Sequence, residues 1–152
     1  MNTTWFIEFS RYSPLLAAIF NFSIGYWVYR AAPNSRKNRI FTIFSFILTN
    51  WALYCFFQSI TKEYLIALTS DFMLYSGAVF APALFWHSIN TFTEINRKKW
   101  ILISYLSGFL FLVLNFSPYF RFGVNFFFDT RFVTNPNWGW YAYLITYVVI
   151  VM

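Results

Sequence analysis

The sequence predicts an all-α integral membrane protein, a helical bundle of four complete transmembrane helices and a fifth, incomplete one. Three observations lead there. First, 59% of the residues are apolar and 26% aromatic while only 11% are charged, a balance that excludes an ordinary soluble globule. Second, the run from Tyr64 to Asn90 holds one charge in more than twenty residues, the length a helix needs to cross hydrocarbon at about 1.5 Å per residue. Third, the cations behind the net charge of +6 sit in short connectors between apolar runs. They are not interleaved with aromatics along a helix face, which excludes a nucleic-acid partner and makes the lipid bilayer the natural one.

The whole chain, 1–152, reads as one transmembrane domain with helices at about 13–29, 40–60, 64–90, 100–117 and 138–152. The first run carries Ser13, Ala17, Asn21 and Gly25 at intervals of four, a small-residue packing stripe. It lacks a basic start and a cleavage site, so it is expected to be retained. The connector that follows contains Pro33 and four cations, Arg30, Arg36, Lys37 and Arg39. The second run aligns Thr42, Ser45, Thr49, Ala52 and Ser59 on one side, and a short, nearly neutral connector, Thr61 to Glu63, leads to the third.

The third run organises the rest. At about 100° per residue, Asp71, Tyr75, Ala78, Pro82 and Ile89 fall on one side, and Ser76, Ala83, His87 and Asn90 on the other. Small or polar residues on two sides predict helix neighbours on both, hence a central position. Pro82 cannot supply the amide that would bond the carbonyl of Ala78, so a kink is expected there, with Ser or Thr neighbours re-satisfying the freed group. Arg97, Lys98 and Lys99 then stop the run.

The fourth run aligns Ser104, Gly108, Phe111 and Asn115 and ends at Ser117 and Pro118. The longest connector follows, with Arg121, Asp129, Arg131 and a turn-forming stretch from Thr134 to Asn137. Trp138 and Trp140 then read as interfacial anchors opening the fifth run. From Trp138 to Met152 a helix would cover about 22 Å against a hydrocarbon thickness near 30 Å, so a truncated product or fragment is expected. Connectors one and three are cationic and two and four are not, which places the amino terminus outside and the chain, multi-pass, in the cell inner (plasma) membrane.

Asp71 is the leading ligand or switch candidate, because an acid within a span is costly and usually has a partner. The plainer expectation puts it near the outer headgroups, with Tyr64, Ser70 or water around it. Tyr75 and Pro82 share its face. His87, the one histidine, has no companion ligands at metal spacing, so no metal is expected. Its plain reading is a satisfied interface residue and its sharper one a protonation switch. Cys55 excludes an internal disulfide and reads as a buried thiol. Arg121, Asp129, Arg131, Trp138 and Trp140 are outer-loop candidates, with membrane anchoring preferred over recognition. There is no phosphate loop, nucleophile elbow or zinc-protease motif, so neither catalysis nor a cofactor is expected.

The outside start, the stretch from Pro82 to Thr93 running into a basic loop, and Asn137-Trp138-Gly139-Trp140 opening the fifth run resemble the amino-terminal seven-helix sensor region of bacterial membrane histidine kinases. The resemblance covers nearly the whole chain. It implies a sensory input domain of a two-component system that relays an extracellular or membrane signal to a cytoplasmic kinase or other output domain, itself absent from this chain. Since such kinases typically dimerise, a homodimer is a further partner it implies. The alternative is a fragment of a membrane permease or channel subunit, with Asp71 on a substrate path.

Overall fold

A computed structural model describes residues 3–95, 97–127 and 131–151. The chain is mostly helical, with elements α1 (Thr3–Ala31), α2 (Arg36–Ile60), α3 (Tyr64–Ala78), α4 (Ala81–Phe92), α5 (Lys98–Asn115), β1 (Arg121–Phe127), β2 (Arg131–Pro136) and α6 (Trp138–Val151). Among the described residues, three segments are long and apolar enough to cross a membrane: α2, the stretch Tyr64–Phe92 that contains α3 and α4, and α5. The expected four complete spans are therefore not matched in number. Helix α1 runs for 29 residues and begins well before the first apolar run, while α6 has 14 residues.

Burial in α2 inverts the rule for water-soluble proteins. Thr42, Ser45, Thr49, Gln58 and Ser59 are buried, while Ile43, Phe46, Trp51 and Phe57 are exposed. Polar side chains turned inward and apolar ones outward suit lipid as the surrounding solvent. The inward hydroxyls bond locally or to a neighbouring helix: Thr49 donates to the carbonyl of Ser45, and Thr42 to that of Gly25 on α1 at 3.2 Å. At Gly25 α1 approaches α2 closely, since a β-carbon there would lie 2.9 Å from that of Ser45. Of the stripe expected on α1, Gly25 is buried, but Ala17 is exposed and the adjacent Ala18 is buried instead. On α5 the aligned residues Ser104, Gly108, Phe111 and Asn115 are the buried ones.

The central segment is the most enclosed of the three candidate spans, with 39% of its apolar window buried against 22% for each of the others. Its break differs from the kink expected at Pro82. Helix α3 ends at Ala78, Val79 and Phe80 form a turn, and α4 restarts at Ala81 with Pro82 in its first turn. A helix tolerates proline there because the first amides have no intrahelical acceptor, so the discontinuity moves to the amino-terminal side of the ring.

The all-α expectation fails in the longest connector, where β1 and β2 pair antiparallel. A bulge between Arg121 and Gly123 makes Phe122 the extra residue in this pairing. Arg121 stands opposite Pro136 and Val124 opposite Thr134. Without the bulge, Arg121 and Val124, three positions apart, would point to opposite faces. With it, both lie on the face that carries Thr134, which turns toward the helices. Gly123 sits at φ 135°, and a β-carbon there would meet the Tyr64 hydroxyl at 2.8 Å. Val124 and Phe132 pack with Ala67 of α3, and Phe120 joins Val79, Phe111 and Tyr143 in a second buried cluster.

Candidate functional site: a buried ion pair beneath the hairpin

Asp71 and Arg121 form a salt bridge, Oδ2 to Nη1, at 2.8 Å, with both side chains almost wholly buried. The second carboxylate oxygen of Asp71 accepts from Gln58 Nε2 on α2 at 3.1 Å and from Thr134 Oγ1 on β2. Asp71 is therefore held by a cation and two neutral donors from three elements. This replaces the expected headgroup-level surroundings of Tyr64, Ser70 or water.

Arg121 is caged as closely. Its Nη2 donates to the carbonyl of Asn115 at 3.0 Å, and its guanidinium carbon lies 4.1 Å from the ring centroid of Phe72. The rings of Tyr75 and Phe120 flank it at 5.5 and 5.6 Å. Burial pulls its pKa below the ordinary arginine value, with Asp71 opposing that shift. Arginine nevertheless stays charged in proteins. Aromatic faces supply part of what water would otherwise give a buried guanidinium.

A chain of polar contacts continues from the pair. Trp140 Nε1 donates to the Tyr75 hydroxyl at 2.7 Å, and that hydroxyl lies 3.5 Å from Thr134 Oγ1. Because the single hydroxyl proton of Thr134 goes to Asp71, Tyr75 must be the donor in the Tyr75–Thr134 pair. One direction of donation thus runs from Trp140 on α6 through Tyr75 and Thr134 to Asp71. Below it, the Ala78 carbonyl, which Pro82 leaves without an amide, accepts from the Tyr143 hydroxyl at 3.0 Å. The freed group is satisfied by a tyrosine from α6 and not by a Ser or Thr neighbour. A cavity of about 380 Å³ opens beside the break, with Trp51, Tyr75, Trp140 and Tyr143 in its wall.

Of the residues singled out from sequence, Asp71, Tyr75, Arg121 and Trp140 meet in this network, and Pro82 borders it. His87 lies apart in the middle of α4, where Nδ1 is 3.0 Å from the Tyr105 hydroxyl and Nε2 is 3.5 Å from Arg36 Nη2. Trp138 is 56% exposed and Arg131 is exposed; Trp138 packs against Tyr119. Asp129 lies outside the described residues. Sequence reasoning did not single out Gln58 or Thr134 as site residues, and it read Asn115 only as part of a packing stripe. A glutamine within an apolar run was the available signal for Gln58. Among the described residues no group of three or more His, Cys, Asp or Glu side chains could hold a metal ion.

No family model matches the chain, and no curated protein or solved structure is significantly similar to it.

Proposed function

We propose that this chain is the sensory input region of a membrane signalling protein, crossing the bilayer in series with its hairpin outside and passing a conformational change to an output domain on the other side. The observation that carries this reading is the link between hairpin and broken helix. Arg121 and Thr134 of the hairpin hold Asp71 on α3, and the discontinuity at Val79 and Phe80 lies two turns further along the same segment. An event that displaces the hairpin alters the contacts of α3 directly, and the turn lets α4 reorient without unwinding a continuous helix. Such a device responds only to a signal with different affinities for the two arrangements. The kinase assignment for the output rests on the sequence resemblance alone. A permease reading draws less support, since Asp71 and Arg121 are consumed by internal partners and do not line an open path.

The test is a distance measurement across the bundle. Spin labels at Thr93 and Lys99, at the far ends of α4 and α5, are compared in lipid nanodiscs between the parent chain and Thr134→Val. The relay requires the hairpin substitution to shift or broaden the distance distribution between the labels. Identical distributions in a folded variant would defeat it.

A further inference from the structure

A second cavity, of about 270 Å³, lies at the opposite end of the bundle from the hairpin. It is walled by Arg36, His87, Asn90, Glu94, Arg97 and Lys98, so three cations from two connectors surround it. All three candidate spans reach this level: α2 begins at Arg36, the central segment ends at Phe92 and α5 begins at Lys98.

Two of the cations have side-chain neighbours that orient them. Arg36 contacts His87 Nε2, and because a guanidinium can only donate, that nitrogen must be the acceptor. The ring proton is then on Nδ1, which donates to the Tyr105 hydroxyl. The Arg97 guanidinium sits 5.7 Å from the ring centroid of Trp86. The one carboxylate in the wall, Glu94, is paired with Lys37 at 3.0 Å, and Lys37 is not itself a wall residue. Helix α5 also starts here with no acidic residue in its first turn and no cap from the Arg97 side chain, so the positive end of its dipole lies at the same level.

We propose that this cavity seats a phosphate-bearing group, supplied either as the headgroup of an anionic lipid or as free phosphate. Convergent cations beside a helix start suit a phosphate oxyanion, and basic pockets between membrane helices are suited to lipid headgroups. The seat also ties the ends of α2, α4 and α5 together through one anion. It stands independently of the signalling role.

The test uses the full chain in neutral detergent, with dioleoyl phosphatidic acid and dioleoyl phosphatidylcholine as probes and native mass spectrometry to count retained lipid. The parent should retain phosphatidic acid in preference to phosphatidylcholine. Arg36→Gln and Arg97→Gln should each weaken that retention about fivefold, the effect of roughly 1 kcal/mol per cation, while Arg39→Gln, an exposed cation outside the cavity wall, should change it less than about twofold. Competition with inorganic phosphate separates the sources: displacement assigns the seat to free phosphate, and retention assigns it to the lipid headgroup. If the arginine variants fold poorly, Glu94→Gln removes the only anion of the wall and should raise retention. Equal retention of the two lipids with no response to phosphate, or equal losses in Arg39→Gln and Arg97→Gln, or no gain in Glu94→Gln would overturn the proposal.

Discussion

The hydroxyl of Tyr143 donates a 3.0 Å hydrogen bond to the carbonyl oxygen of Ala78, the group that Pro82 leaves without its usual amide partner. The two substitutions Tyr143→Phe and Pro82→Ala should therefore be coupled. Alone, Tyr143→Phe strands a buried carbonyl and should lower stability by about 1 kcal/mol, the scale of side-chain hydrogen bonds between membrane helices. In a Pro82→Ala background the new amide can serve the carbonyl, and the same change should have much less effect. A double-mutant cycle on unfolding in mixed micelles reads this directly, and additive losses would show that Tyr143 acts only through packing.

Asp71 and Arg121 should behave as a unit. Asp71→Asn or Arg121→Gln leaves one charge buried without its partner, and each should reduce stability by about 3–5 kcal/mol. The double variant Asp71→Leu, Arg121→Met removes both charges and should recover most of that loss. Thermal unfolding followed by circular dichroism in detergent distinguishes this pattern from simple addition of two core defects.

Gly123 is the backbone hinge of the bulge. Gly123→Ala meets an unfavourable φ and the Tyr64 hydroxyl at once, and should destabilise the hairpin by about 1–3 kcal/mol. Hydrogen exchange at the β1 and β2 amides should speed up while exchange in α2 stays unchanged. Removing the hydroxyl with Tyr64→Phe in the same chain should relieve only the contact and leave the backbone strain.

Topology is open to labelling from one side. With Cys55 replaced by alanine, a cysteine at Asn125 on the exposed side of β1 should react with an impermeant maleimide in intact cells. One at Lys99 should react only after permeabilisation. The reverse pattern would invert the orientation assigned from the cationic connectors.

The sequence carried the helix faces better than the connections between them. The buried side of α5 could be read from Ser104, Gly108, Phe111 and Asn115, because spacing alone defines a helix stripe. Asp71 could be recognised as a residue in need of a partner, since few acids lie within apolar runs. Its partner could not. Arg121 stands in a polar connector where a cation ordinarily means water, and only the bulge at Phe122, invisible to a two-residue period, aims it inward. The strands themselves were masked by their aromatics, which near a membrane read equally well as anchors, although Phe122, Val124 and Phe126 alternate as a strand should. The break fell before Pro82 because the ring is compatible with the start of a new helix.

The placement of Arg121 also orders the biogenesis of the protein. Asp71 leaves the ribosome before its cation does, and the guanidinium arrives only after α4 and α5 have been made. Gln58 precedes Asp71 in the chain and donates to it in the finished molecule. During synthesis it is the one member of the cage already able to shelter that carboxyl group. Of the three elements that hold Asp71, the two strands of the hairpin are thus made last, and their docking completes the cage around that carboxylate.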